Sequence, residues 1–561
     1  MIFVSSPLIL YMMKRIIILL ISIIAAFSVF PQTFQINWQS CFGGTESDKT
    51  RDIIAIDNGY MVAGSTKSND GDISSNHGSV DAWLVKIDNS GNLLWEKCFG
   101  GTKSEFFARI FQDTEGYLYL IGNSTSSDGD ISNDPYPEST DFWIVKIDSL
   151  GNIIWDRIVG GNILDQIWTG VLTSDGGVLA YGWTGSPDGD VTVSYGAYDM
   201  WMVKLNSDGE KEWDFSIGTD WFDYGQAVIQ TSDGGFLCGG SSVIGDDGNL
   251  VCEPFNYSHG EAILVKLDAD RNIQWQQCYG GSDHDGVTAL LEIEDGYIFG
   301  GYGGSADGDL TGSGWHYEND IWLVRLDWWG NIIWSKCFGG SRNEWLSEIH
   351  QTSDGDFLIP GFTSSHDGDV TGNHTLSEYD NDIWILKVSS DGELISQQCI
   401  GGRGDETVNF GAIKKSDNNF VIASKTTWGP SYDVTCTPHP NPGSPRADFW
   451  ILEISDTTVN INENEVNDGG IKVYPNPARD YVVFELPAGA PPSIPPGGLP
   501  AGKAGEKNPI IKIHNVFGQE VTEIIVRSQV NVWDSRGVRA GIYFYKLKLE
   551  NKILSGKVII R

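Results

Sequence analysis

Two series of carboxylates carry most of the chemistry this chain could do. Asp48, Glu105, Asp165, Asp223, Asp285, Glu344 and Glu406 each stand ten residues after a recurring position held by Trp38, Trp95, Trp155, Trp213, Trp275, Trp334 and Ser396. The second series pairs acids around a glycine: Asp70/Asp72, Asp128/Asp130, Asp188/Asp190, Asp307/Asp309 and Asp367/Asp369, with Asp246-Asp247-Gly248 as a degenerate copy. Hard cations take oxygen ligands, so both series are candidates for Ca²⁺, the one cofactor the sequence suggests. Neither holds a full EF-hand ligand set. Asp also fixes turns by accepting backbone N–H bonds, and that reading stands beside the first.

A catalytic site needs unlike groups converging, which breaks a repeat. No Ser/His/Asp elbow, clustered histidine ligands or phosphate loop is legible, and His284 and His316 stand isolated in the sequence. Nothing singles out a carboxylate pair for glycoside hydrolysis among so many acids. The expectation is a protein that is not an enzyme. Aromatics interrupt the long connections of the repeat: Tyr136, Tyr195, Tyr198, Phe255, Tyr257, Trp315, Tyr317 and Tyr379. Aromatics beside polar loops on a rigid frame suit a recognition surface for a glycan or protein ligand; packing within turns explains most of them.

These residues are positioned by a unit that recurs seven times, at spacings of 57 to 62 residues. It reads W-x-x-C-F-G-G, an acid, S-D-G-G, S-x-D-G-D, D-x-W-L-V-K, and G-N-x-x-W. Each unit predicts four short strands. In Trp83-Leu84-Val85-Lys86-Ile87 alternation puts Trp83, Val85 and Ile87 on one face. Seven four-stranded units predict an all-β fold, a seven-bladed β-propeller, with an open solenoid as the alternative. The chain enters and leaves in the middle of a hairpin. The strand around Trp38 should therefore pair with 448–453, closing the last blade from both chain ends and removing two exposed edges.

Cys41, Cys98, Cys278, Cys337 and Cys399 share one repeat position. Equivalent positions should lie too far apart to bond, so all five are expected as small buried apolar side chains. A Cys238–Cys252 bridge is one open possibility, and Cys436 fits no pattern.

Lys+Arg 37 against Asp+Glu 75 gives a net charge of −38, which excludes nucleic acid and anionic membrane surfaces as natural partners. The charge is uneven: residues 470–561 carry a net +6 and the residues before them −44. Two domains are expected. Residues 1–33 read as a signal peptide, with Lys14 and Arg15 before an apolar stretch from Ile16 to Phe30, and no transmembrane segment is expected in the mature chain. The propeller should span 34–456, an Asn-rich linker 457–470, and a small β-sandwich 471–561, with a Pro/Gly/Ala-rich unpacked insertion at 487–508.

Two stretches resemble known families. D-A-W-L-V-K-I-D-N-S-G-N-L-L-W and D-F-W-I-V-K-I-D-S-L-G-N-I-I-W resemble the bacterial β-propeller units called SBBP repeats, which imply architecture and little chemistry. The Y-P-N-P opening at Tyr474, the segment from Asn515 to Val521, the strand from Ala540 to Tyr545 and the basic end resemble the type A C-terminal sorting domain of type IX secretion substrates. That resemblance implies export through the type IX machinery to the outer-membrane surface of a Gram-negative bacterium, or beyond, with this domain removed on the way.

Overall fold

The computed structural model describes residues 34–245, 247–253, 255, 259–439, 446–456, 471–474, 478, 481–486, 509–515, 520–526, 530–539, 541–549 and 552–560. The expected signal peptide, linker and insertion lie outside these residues, as do Asp246 and Tyr257. The chain divides into two compact units, Met1–Thr457 and Thr458–Arg561.

Among the described residues, the first unit contains seven antiparallel sheets. Sheet 1 runs Asp48–Ile56, Gly59–Thr66, Asp81–Asp88, Leu93–Phe99 in spatial order. Sheets 2 to 6 repeat this order, their first strands starting at Glu105, Asp165, Asp223, Asp285 and Glu344. Sheet 6 carries an extra short strand, His350–Gln351. Sheet 7 has the order Ala412–Ser416, Asn419–Thr426, Asp448–Asp456, Phe34–Phe42, so its outer strand comes from the start of the described chain. The register runs Phe34↔Asp456 to Phe42↔Phe449, which is the expected pairing of Trp38 with 448–453.

The third strand of each sheet is central and buried on both faces, which explains its near-continuous apolar run. Trp83, Trp143, Trp201, Trp322, Trp384 and Trp450 are fully buried. A buried indole N–H needs an acceptor, and the fourth strand supplies it: Glu96 at 2.8 Å from Trp83 Nε1, and likewise Asp156, Asp214, Ser335 and Gln397. In sheet 7 the acceptor is Gln39, from the chain's first strand, at 3.0 Å from Trp450 Nε1. Each apolar core lies between two consecutive sheets. The same holds between sheets 6 and 7, and between sheets 7 and 1, where Val421, Phe449 and Ile451 pack on Ile53, Val62 and Trp83. Truncating one such Trp to Ala costs about 3–5 kcal/mol.

The cysteines depart from expectation. Cys98, Cys238, Cys337 and Cys399 are free and buried, but Cys41 bonds Cys436 and Cys278 bonds Cys252. Equivalent positions do keep apart from one another. The partners come instead from the connection between second and third strands, which passes over the fourth strand of its own sheet and brings the Cα atoms to 5.7 Å in both bridges. In sheet 5 Ser313 takes this place, its hydroxyl 3.1 Å from Cys337 Sγ.

The second unit has two antiparallel sheets. One is Lys472–Tyr474, Tyr481–Glu485, Val530–Asp534; the other is Glu520–Ile525, Ile510–Asn515, Gly541–Leu549, Lys552–Ile560. They share a core that includes Val482, Phe484, Ile511, Ile513, Trp533 and Tyr545.

Candidate functional site

The connections that join one sheet to the next bring both acidic series to one end of the strands. All seven acids of the first series are fully buried. Six accept the N–H of a glycine four residues earlier, from Gly44 to Asp48 at 2.8 Å through Gly402 to Glu406 at 2.9 Å. In sheet 4 the donor is Thr219. A hydroxyl near the end of the second strand holds the rest of the carboxylate, as Thr66 does for Asp48 and Thr363 for Glu344 at 2.6 Å. A Ca²⁺ ion would have to compete with these donors.

The second series splits into two tasks. Asp70, Asp128, Asp188, Asp307 and Asp367 accept the N–H of the residue after the glycine pair, at 2.7 to 3.0 Å. Those bonds hold the carboxyls of Asp70, Asp128 and Asp367 below the usual range, and the Asn162 side-chain amide, with its backbone N–H, does so for Asp188. Asp72, Asp130, Asp190, Asp309 and Asp369 accept the N–H of the first glycine. Asn249 and Asp433 do the same in sheets 4 and 7, completing a set the sequence left incomplete.

A third set of acids was not singled out from the sequence. The residue opening each third strand is buried: Asp81, Asp141, Asp199, Glu261, Asp320, Asp382 and Asp448. It faces the first-series acid of the next sheet across the first glycine. A Cβ on Gly43 would lie 2.6 Å from Asp448 Oδ1 and 2.7 Å from Asp48 Oδ2; on Gly160, 2.0 Å from Asp141 Oδ1 and 2.7 Å from Asp165 Oδ2. Glycine is required there because two carboxylates close on it. In Asp81, Asp141, Asp199, Asp320, Asp382 and Asp448 the oxygen Oδ1 has no hydrogen-bond partner. The other oxygen is held by the connection. His77, His316, His374 and His439 place Nδ1 2.6 to 3.2 Å from it, and Ser139 and the Tyr195 N–H serve in sheets 2 and 3.

Burial, reinforced by the facing carboxylate, pushes these acids up: Asp141 and Glu406 to about 8, Asp223, Glu344 and Asp448 to about 7. Burial alone raises Asp285 to about 6. Two carboxylates this close and this dry oppose each other's ionisation. The hydrogen bonds to Asp320 and Asp382 raise His316 and His374 in turn. The chemistry available is proton retention inside a joint closed to substrate. The clue in the sequence was the pair of glycines, which mark close backbone approach.

The aromatics divide. Phe255, Tyr317 and Tyr379 are exposed. Tyr136 and Tyr195 are half-buried against the joints, Trp315 donates to Glu318 O, and Tyr198 packs on Phe222 and Tyr224. Among the described residues, His259, Asp283 and His284 offer atoms within 4.8 Å of one another. His284 Nδ1 already accepts the Gly260 N–H at 3.0 Å. Among the described residues, no helix is long and apolar enough to cross a membrane.

Residues 472–561 match the family described as the secretion system C-terminal sorting domain. This segment is a sorting domain. The sorting domain implies secretion of the chain to the cell surface or outside the cell. No curated protein matches the chain in sequence. Among solved structures, one that is similar is PorZ, titled an essential bacterial surface component of the type-IX secretion system of Porphyromonas gingivalis, at 10% identity and TM-score 0.32. The match covers 93% of this chain and 53% of that one, so the chain spans about half of PorZ. Another is the WD40 domain of Neurospora crassa Pan2, at 9% identity, 75% and 95% coverage and TM-score 0.37.

Proposed function

We propose that the chain is a surface-attached or secreted binding module, a closed seven-bladed β-propeller of SBBP type delivered by type IX secretion. Its ligand is a glycan or a protein, and the module has no enzymatic activity of its own. The observation that carries the delivery is the sorting domain at 472–561. The closed propeller is supported by the core shared between sheets 7 and 1. It is supported also by contacts across the middle, where Arg109 of sheet 2 meets Glu348 of sheet 6 at 3.2 Å and lies over the Phe410 ring that precedes sheet 7. A non-enzymatic role fits acids that are consumed in the joints between blades rather than displayed in a cleft.

The test is deletion of residues 471–561 in a host with type IX secretion. The full chain should reach the surface or medium shortened at its C-terminus, as read by fractionation and intact mass. The deleted form should fold and stay in the periplasm. Equal surface levels of both forms would refute the reading.

A further inference from the structure

One position in each first strand varies within an otherwise repetitive frame. The residue after the buried acid is Lys49, Phe106, Gln166, Tyr224, Gly286, Trp345 or Thr407. In the propeller reading, on which this inference rests, these positions ring the mouth of the central axis at the end that carries the long connections. They are not distributed evenly.

Between sheets 7 and 1 the ring is basic. Lys49, Arg51, Lys67 and Lys425 gather there, and like-charge repulsion among them adds to burial in lowering Lys49. Only Lys425 of the four has an ion pair among the described residues, with Asp405 at 2.5 Å. A cluster of four cations holding one ion pair, in a region of net charge −44, points to an anion that completes it.

Opposite it the ring is aromatic. Tyr224 packs edge-on against Trp183 at 5.2 Å, and Tyr302 lies tilted against Trp345 at 5.1 Å. These rings are partly buried. Trp168 continues the row, 6.0 Å from Trp183 and 6.3 Å from Phe410, and Phe410 donates its backbone N–H to Arg51 O at 2.9 Å. The row of Tyr224, Trp183, Trp168 and Phe410 thus reaches the strand that carries Lys49 and Arg51. Three residues after Phe106, Trp345 and Thr407, the residues Arg109, Glu348 and Phe410 meet across the axis and form a floor. Near that floor, Trp168 Nε1 and Gln226 Oε1 are buried without hydrogen-bond partners. The partly buried ring faces of Trp183 and Tyr224 beside these groups match the apolar faces of a sugar.

We propose that this recess binds an acidic oligosaccharide, its carboxylates held by the Lys49–Arg51–Lys67–Lys425 cluster and its rings laid on Trp183, Tyr224 and Trp168.

Calorimetric titration of the full chain with a tetramer of galacturonate, beside the same tetramer fully methyl-esterified, tests the proposal. The acid form should bind about tenfold or more tightly than the ester, and more weakly as salt rises. The double variant Lys49→Glu/Lys67→Glu changes two exposed side chains and should remove that preference. Trp183→Ala should weaken both forms. No binding by the folded chain, equal binding of both forms, or a preference untouched by the double variant would each overturn the proposal and leave the sorting and propeller readings standing. Cleavage of the tetramer would instead overturn the non-enzymatic reading.

Discussion

Raising the pH from 5 to 8 should destabilise the repeat domain, against the usual behaviour of an acidic protein. The carboxyls of Asp141, Asp223, Asp285, Glu344, Glu406 and Asp448 are raised to between about 6 and 8 in the fold, from ordinary values near 4. A carboxyl with a raised folded value stabilises the fold below its unfolded value and loses that contribution as pH climbs through the folded one. His316 and His374, also raised, act in the same direction. Counting only two protons taken up on folding, to discount coupling and solvent screening, the slope is about 2.7 kcal/mol per pH unit. For a domain of this size that is roughly 5–10 °C of melting temperature over two units. Below pH 4 stability should fall again, as Asp70, Asp128, Asp188 and Asp367, whose carboxyls are lowered, become protonated. Thermal melts of the full chain in buffers of matched ionic strength measure this. Asp141→Asn should flatten the slope by about one proton, since an amide can donate to Asp165 without titrating. A melting temperature that rises between pH 5 and 8 would show that the facing carboxylates hold no proton.

Two further outcomes follow from the same joints. Gly160→Ala drives a Cβ to 2.0 Å from Asp141 Oδ1 and should cost about 3 kcal/mol, whereas Gly429→Ala meets nothing within 4 Å and should be neutral in the same denaturation assay. Adding millimolar Ca²⁺ or a chelator should move the melting temperature by less than about 1 °C, because protein donors already hold the carboxylates of Asp48 and its equivalents; a larger rise would restore the cation reading.

The frame was legible because period and fold are here the same thing. Trp83 and its copies, the turn glycines and the half-hairpins at each end determine strand order locally, so the pairing of Trp38 with Glu453 could be read before any coordinate. The candidate site was less legible. Whether Asp48 faces solvent or caps its own connection depends on Thr66 and Ser68, about twenty residues away, which carry no signal of their own. The facing of Asp141 and Asp165 depends on how one sheet meets the next, and Cys41 finds Cys436 because a long connection folds back across a neighbouring strand. Such approaches belong to the packing of elements rather than to their periodicity. The basic cluster at Lys49 escaped notice because its members come from sheets 7 and 1, at opposite ends of the repeat.

The way sheet 7 is assembled also sets how the molecule bears mechanical load. A pull applied through the C-terminal side enters at Asp456, the end of a strand bonded along its length to Asn419–Thr426 on one side and to Phe34–Phe42 on the other. Force along that strand shears two ladders at once instead of peeling hydrogen bonds one by one. The Cys41–Cys436 bridge then ties the outer ladder to the connection that leads into the loaded strand. A body held from that side resists extraction at the seam where its two ends were joined.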